Sequence, residues 1–270
     1  MNARIALEGR EVGIDVAHPV SLAVELDFAG PQPRHFGAPP ARARPFEAPG
    51  FAGTVERGAS CNCEVLTLIP HCNGTHTECV GHLTRERLDV RGVAPFGFVP
   101  ALLVTLTPQS AATCDEGSSP APHDGDMLLT RGALEQAWPA RLPFTVRALI
   151  VRTRPNSADK RSRDYSGQNP PYLSQQAAAL LVERGIRHLI VDLPSLDRTH
   201  DEGVLTAHRL FFGLPPGVTE LARAARADAT VTELAFVPQE LRDGPYLLEL
   251  QLPALGGDAV PSRPLLYRLL

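Results

Sequence analysis

The sequence lacks long hydrophobic runs and any large excess of charge of one sign. No window approaches the roughly 18 consecutive apolar residues that a membrane-spanning helix needs. The first twenty residues also lack the basic-then-apolar order of a secretory signal. The formal net charge is -4, which does not suit a protein that neutralises nucleic-acid phosphates. We therefore expect a cytoplasmic protein with neither a membrane nor a nucleic acid as partner.

Cysteine is scarce and unevenly spaced. The 270 residues include five cysteines, an odd number at irregular spacing, so we expect no disulfide framework in a chain of this length. The thiols are then free or bind metal: Cys61, Cys63, Cys72, Cys79 and Cys114.

Hydrophobic residues make up 43% of the chain, at a length near the upper end of what one core can serve. We predict a single domain over residues 1–270.

Short apolar runs rich in β-branched residues predict a buried sheet. Three lie at 98–106, 145–153 and 188–193, and the end of the chain adds YLLELQLPAL and PLLYRLL. A helix is predicted over 174–186, where Ser174 can cap the first turn and Gly185 can terminate the last. Residues 131–138 predict a second helix, which Pro139 stops. Helix followed by strand indicates an α/β fold.

Two segments predict loops. The first sixty residues are rich in proline and glycine, which favours an ordered loop wrapped over the core. Residues 153–172 are polar, charged and interrupted by prolines, so we expect a long exposed loop there, with a lid as the alternative.

The stretch IPHCNGTHTECVGHL, residues 69–83, concentrates metal-binding side chains. Its poor helix formers favour an extended segment, in which residues at alternate positions share a face. The even positions then form one set, and His71 and Cys79 are expected to point away from it. That even set comprises Cys72, His76, Glu78 and His82. Thiolate, imidazole and carboxylate groups are all competent metal ligands, but a solvated loop with small buried cysteines is an equally good interpretation of the spacing alone.

CNGTHTECVGH resembles the signature His-x-Gly-Thr-His-x-Asp-x-Pro-x-His of the metal-dependent cyclase-like hydrolases, which include arylformamidase (kynurenine formamidase) and isatin hydrolase. Further similar segments follow in order: VDLPSLD (191–197), LTAHRLFFG (205–213), VTELAFVPQEL (231–241) and Arg263 before the last run. The resemblance covers roughly residues 18–268. It implies the swivelling β/β/α cyclase-like fold, a mixed sheet with flanking helices and a barrel-like core, in a homodimer or homotetramer.

The resemblance also implies a ligand set. A first metal would be held by Cys72, His76 and Glu78, and a second would share Glu78. His208 and Glu233 would complete the second site, with Glu220 as a rival carboxylate. Cysteine in place of the usual histidine favours Zn²⁺ over Mn²⁺, although Mn²⁺ is possible, and glutamate in place of aspartate leaves one or two ions open.

The implied activity is metal-dependent hydrolysis of a small amide, formamide, lactam or ester, with the substrate a small molecule. His82 corresponds to the family's proton-transfer residue, a role that suits a side chain with a pKa of roughly 6.5. Two alternatives stay open: a lyase or cyclase acting on a carbonyl substrate, and a zinc-containing binding protein in which Cys72 and Glu78 have ended catalysis. Phe28, Phe36 and Phe211 are candidates to line a pocket, with a plain core role the commoner use of such residues. Asp192 and Asp197 are candidates to orient ligands.

Overall fold

A computed structural model describes residues 1–270, and a nine-stranded mixed sheet forms its centre. The strands are β1 (Asn2–Leu7), β2 (Arg10–Asp15), β3 (Val20–Ser21), β4 (Arg42–Pro45), β5 (Glu64–Thr67), β6 (His76–Glu78), β7 (Phe98–Leu106), β8 (Gln109–Ser110), β9 (Met127–Leu129), β10 (Ala148–Thr153), β11 (Tyr172–Leu173), β12 (His188–Val191), β13 (Thr230–Glu233), β14 (Gly244–Gln251), β15 (Ala259–Pro261) and β16 (Arg263–Arg268). The helices are α1 (Arg131–Ala137), α2 (Gln175–Glu183) and α3 (Thr206–Phe212). All five predicted strand regions and both predicted helices are present.

The central sheet has the strand order β15-β6-β13-β12-β10-β7-β14-β16-β3. Strands β13, β12, β10 and β7 are parallel, and antiparallel strands extend the sheet on both sides. Smaller sheets join β1 to β2, β4 to β5, and β9 to both β8 and β11. The predicted mixed sheet with flanking helices is confirmed.

Alternate side chains of the central strands enter two different cores. In β7, Leu102 and Val104 belong to the larger cluster of 31 buried residues, whereas Ala101 and Leu103 belong to a second cluster of 13. Because both faces are covered, these strands are continuously apolar rather than alternating. That burial is why the sequence signal for β7 and its neighbours is strong.

Local capping sets the helix ends. The Thr130 hydroxyl accepts from the backbone N–H of Ala133 at 3.1 Å, and the Ser174 hydroxyl accepts from that of Ala177 at 2.9 Å, which satisfies donors that have no partner within the helix. Gly185 follows α2 with φ of 71°, a conformation that glycine adopts without strain. No helix in the structure is both long enough and apolar enough to cross a membrane.

The two loop predictions are only partly right. The first fifteen residues form a β-hairpin, not a loop, and its two-residue turn places Glu8 and Gly9 at positive φ, the geometry that suits the twist of paired strands. Within the predicted exposed loop 153–172, Lys160 is buried and its ammonium group donates to Asp192 at 2.8 Å. No residue of 156–172 lines the cavity described below, so the structure gives this segment no lid position over it.

His188, at the start of β12, is buried and its Nδ1 lies 3.0 Å from the Thr230 hydroxyl. Burial lowers the pKa of this imidazole from its ordinary 6.5 to about 4. The unfolded chain therefore binds a proton between those pH values that the folded chain does not. The His188 contribution to stability is complete above about pH 6.5 and is lost as the pH falls to about 4.

We expect this proton linkage to remove about 3 kcal/mol of folding free energy over that interval. His188→Asn keeps a polar partner for Thr230 and should unfold with a flatter pH dependence when denaturant unfolding is followed from pH 7 to pH 4. His18→Asn, at an exposed site where the ring pairs with Asp15, should keep the steep pH dependence of wild type. Equal slopes for wild type and His188→Asn would contradict the assignment.

Candidate metal centre and its cavity

Strand β6 carries two of the predicted ligands between two partner strands. It pairs antiparallel with β13, so that His76 lies directly opposite Glu233, and with β15, so that Glu78 lies opposite Ala259. Side chains directly opposite one another on an antiparallel pair are close neighbours. The strand pairing itself therefore brings His76 and Glu233 together, although they are far apart in sequence.

The residues that precede and alternate with His76 and Glu78 hold β6 in place. Gly74 has φ of 75°, a conformation that turns the chain into β6 and favours glycine. The Thr75 hydroxyl donates to the backbone carbonyl of Leu234 at 2.7 Å, and the Thr77 hydroxyl lies 2.7 Å from that of Thr232. The odd positions thus anchor β6 and leave His76 and Glu78 for the opposite face, as the predicted alternation requires.

A third histidine reaches the same point from helix α3. His208 Nε2 lies 3.0 Å from Glu78 Oε1 and 3.3 Å from Glu233 Oε1, and His76 Nε2 lies 3.5 Å from Glu233 Oε2. All four side chains are buried. The donor atoms of His76, Glu78 and Glu233 lie within 4.8 Å of one another, which is the spacing of a ligand cluster.

Hydrogen bonds at the far side of two imidazoles fix which nitrogen faces this cluster. His208 Nδ1 lies 2.7 Å from Asp197 Oδ2, and His76 Nδ1 lies 3.2 Å from the carbonyl oxygen of Gly74. Both partners are acceptors, so each Nδ1 carries the hydrogen and each Nε2 presents a lone pair in the neutral ring. Asp197 also accepts from the backbone N–H groups of Ala207 and His208, which locks the first turn of α3 beneath the ligand.

The inward-facing atoms have no hydrogen-bond partner within the protein. The Nε2 atoms of His76 and His208 and the Oε1 atom of Glu78 are buried and unsatisfied. At these distances an imidazole nitrogen and a carboxylate oxygen need a positive charge between them, which is either a proton on the ring or a metal ion. The donor set of imidazole and carboxylate groups fits a divalent cation.

The buried carboxylates and imidazoles of this cluster shift each other's pKa values. Burial opposes a charge on His208, but the surrounding carboxylates outweigh it and raise the pKa of the imidazole well above its ordinary value. Burial also opposes ionisation of Glu233, yet His208 and His76 hold the pKa of its carboxyl well below the usual range. The cluster therefore retains ionised carboxylates that attract a cation.

The expectation that His71 points away from the ligands is wrong. His71 Nε2 lies 3.4 Å from Glu78 Oε2 and 2.9 Å from Asp258 Oδ2. A turn explains the error, because the N–H groups of Cys72 and Asn73 both donate to the carbonyl of Ile69. Alternation holds only within an extended strand, and β6 begins later, at His76.

His82 reaches the cavity from the 3₁₀ turn Val80–Leu83. Its ring stacks on His71 at a centroid distance of 4.3 Å, and its Nδ1 lies 3.5 Å from Asp258 Oδ2. Asp258, which precedes β15, was missed in the sequence. Nothing in its surroundings, LGGDAV, marks a functional carboxylate, and only the pairing of β15 with β6 brings it here. The donor atoms of His71, Glu78 and His82 form a second group within 4.8 Å, and Glu78 is common to both groups.

The remaining candidates, Cys72, Cys79 and Glu220, differ in where the structure places them. Cys72 lines the cavity but belongs to neither donor group, and burial and the charge of Glu233 raise the pKa of its thiol, so its role as a ligand stays a prediction. Cys79 points away as expected, buried with its thiol 3.3 Å from the Leu88 carbonyl. Glu220 is exposed, whereas its rival Glu233 lies in the cluster.

These groups open into a cavity of about 820 Å³. Most of its lining residues are polar or charged, although apolar atoms supply more of its surface than polar atoms do. The lining includes His71, Cys72, His82, Arg198, His208 and Glu233. Phe36 lies at this wall and is exposed, whereas Phe28 does not line it and Phe211 is buried in the core. Asp192 forms an ion pair with Lys160 and does not contact a ligand, so of the two predicted orienting carboxylates only Asp197 contacts one.

Comparison with known proteins gives one family and one fold. The sequence model of the family described as putative cyclase matches residues 14–198, and no curated relative matches significantly. The fold is similar to that of a predicted metal-dependent hydrolase from Bacillus stearothermophilus: 13% identity, TM-score 0.57, 93% of this chain and 98% of that one covered. It is also similar to isatin hydrolase A from Ralstonia solanacearum: 17% identity, TM-score 0.57, 93% and 91% covered. The expected cyclase-like fold is confirmed.

Proposed function

Because this chain belongs to the putative cyclase family, we propose that it is a metal-dependent hydrolase that cleaves a small amide, formamide, lactam or ester. The observation that carries the proposal is the set of buried, unpartnered atoms on His76, Glu78 and His208 beside Glu233. A purely structural cluster would satisfy these atoms with hydrogen bonds. Their common orientation instead supports a divalent cation as the missing partner.

Four side chains are positioned to hold the ion. His76 Nε2, His208 Nε2 and the carboxylates of Glu78 and Glu233 would hold the ion, with Glu78 as the carboxylate that a second ion would share. Zn²⁺ is our expected ion if the Cys72 thiolate joins this set, and Mn²⁺ is the alternative. The chemistry supplied by such an ion is Lewis acidity, which polarises a carbonyl group and makes water more acidic.

His82 is proposed to move the proton. Asp258 faces its Nδ1 and favours the tautomer in which Nδ1 carries the hydrogen. This leaves the Nε2 lone pair available to accept a proton from the attacking water and to return it to the leaving nitrogen or oxygen. The stack on His71 restrains the ring, so the proton-accepting atom keeps one orientation.

A direct test measures metal content and turnover together. The purified protein is assayed for bound metal and for hydrolysis of N-formylkynurenine, isatin and simple aryl amides, with and without a chelator. We expect a stoichiometric divalent ion and an activity that the chelator abolishes and Zn²⁺ or Mn²⁺ restores. A protein that binds no divalent metal would overturn the proposal. Product analysis for incorporated water separates hydrolysis from lyase or cyclase chemistry.

Asp197 offers a test of ligand positioning. Its carboxylate fixes both the ring of His208 and the first turn of α3. We expect Asp197→Asn to weaken metal affinity by about 10- to 100-fold, the usual effect of losing such a partner, as measured by competition with a chromophoric chelator. Asp192→Asn is the matched control, because it removes a buried carboxylate that contacts no ligand, and its metal affinity should equal wild type. Equal affinities in all three proteins would contradict this role.

Assembly as a homodimer or homotetramer stays a prediction, and sedimentation velocity of the metal-loaded protein measures it. Cytoplasmic location also stays a prediction.

A further inference from the structure

Arg198 lines the cavity, and its guanidinium group has few hydrogen-bond partners within the protein. Its side chain is 9% exposed, and it lies immediately after Asp197, the partner of His208, so it is close in sequence to the metal centre. Only its Nη1 group forms hydrogen bonds, to Asp126 Oδ2 and to the Ala121 carbonyl, both at the long distance of 3.4 Å. A guanidinium presents five N–H donors, so the Nε and Nη2 groups of this residue, which lines the cavity, have no hydrogen-bond partner within the protein.

The nearby carboxylates of Asp126 and Asp201 accept most of their hydrogen bonds from groups other than Arg198. Asp126 already accepts from the Tyr172 hydroxyl at 2.7 Å, the Asn169 amide at 2.6 Å and the His123 backbone N–H at 3.0 Å. Asp201 accepts from the backbone N–H groups of Gly203 and Leu205, which commits its oxygens to the loop. Both acids therefore have hydrogen-bond donors other than Arg198, although Asp126 also forms a long ion pair with Arg198 Nη1 at 3.4 Å.

We propose that Arg198 binds a carboxylate group of the substrate, so that the preferred substrate is an acidic amide or ester. A planar guanidinium suits a carboxylate because two parallel N–H groups can meet its two oxygens. Arg198 is the one arginine among the lining residues and no lysine lines the cavity, while exposed Phe36 offers a face for an aromatic or acyl portion. The inference rests on the proposed function for the identity of the scissile bond but not for the binding of the anion.

The test measures binding without turnover. Calorimetry compares ortho-, meta- and para-aminobenzoate with neutral aniline on the zinc-loaded wild type, Arg198→Met, Arg198→Lys and Arg187→Met. Arg187 pairs with Asp228 at the surface and is absent from the cavity, so Arg187→Met removes the same charge elsewhere. We expect at least one aminobenzoate to bind wild type and Arg187→Met about 10- to 100-fold more tightly than aniline.

Arg198→Met should bind that aminobenzoate no better than aniline, and Arg198→Lys should recover part of the preference. If Arg198→Met does not fold, Arg198→Gln, which retains a donor toward Asp126, replaces it. An unchanged preference in the neutral variant overturns the proposal, because the carboxylate would then be held elsewhere, including by the metal. Equal binding of aminobenzoates and aniline to wild type also overturns it.

A parallel assay separates this proposal from the proposed function. Formanilide and the three formamidobenzoates share one scissile bond and differ in the carboxylate. Selective binding without hydrolysis of any of them would support the Arg198 site against the proposed activity on formamides. Hydrolysis of all four at equal kcat/KM in wild type would support the activity and overturn the role of Arg198.

Discussion

Replacing Glu78 by glutamine is expected to remove metal binding and to lower hydrolysis by about 10³-fold or more. Glu78 is the one side chain common to both donor groups, and its two oxygens face different histidines, Oε1 toward His208 and Oε2 toward His71. The amide keeps the shape but loses the anionic charge that a cation requires. Loss of Lewis acidity costs several kcal/mol of transition-state stabilisation, and each 1.4 kcal/mol is about tenfold in rate.

Metal content by mass spectrometry, turnover, and thermal unfolding with and without added Zn²⁺ measure this effect. A ligand that binds only the folded state raises the unfolding temperature, so zinc should stabilise wild type and leave Glu78→Gln unchanged. Glu220→Gln is the matched control, since Glu220 is exposed and outside the cluster, and it should match wild type throughout. Full metal occupancy in Glu78→Gln would exclude Glu78 as a ligand.

Replacing His82 by alanine should have the second largest effect, with a different signature. We expect kcat to fall by about 10²- to 10⁴-fold, the usual contribution of general acid–base catalysis, while metal content stays at the wild-type level. The reason is the proposed division of roles, in which His82 faces the cavity and moves a proton while His76, Glu78, His208 and Glu233 hold the ion.

The structure also supplies the competing outcome. His82 lies in a donor group with His71 and Glu78, and if this group holds an ion, His82→Ala will lose metal together with activity. Measuring the metal stoichiometry of the variant therefore decides between proton transfer and ligation. His18→Ala, at an exposed site far in sequence from the cluster, is the control and should retain both activity and metal.

Local sequence signals predicted most of the fold because they depend on burial and capping rather than on distant partners. Strands β7, β10 and β12 are buried on both faces, so their apolar runs stood out. The amino-terminal hairpin was missed because its faces are only half-buried. The alternation of NARIAL and the Glu8–Gly9 turn were the signals that could have found it.

The sequence predicted those site residues that lie in recognisable motifs. His76, Glu78, His208 and Glu233 were chosen from ordered segments of sequence, and the structure brings all four together. His71 was misplaced because a turn interrupts the alternation before β6. Asp258 and the partly unpaired state of Arg198 carry no local signal, since each depends on contacts made after the chain has folded.

The sequence by itself determined the kind of chemistry available: a set of imidazoles and carboxylates, free thiols, and strands buried enough to support them. Only the tertiary structure decided which of these groups converge. The antiparallel pairing of β6 with β13 and β15 fixed that choice, because strand register sets which side chains lie opposite one another across large separations in sequence.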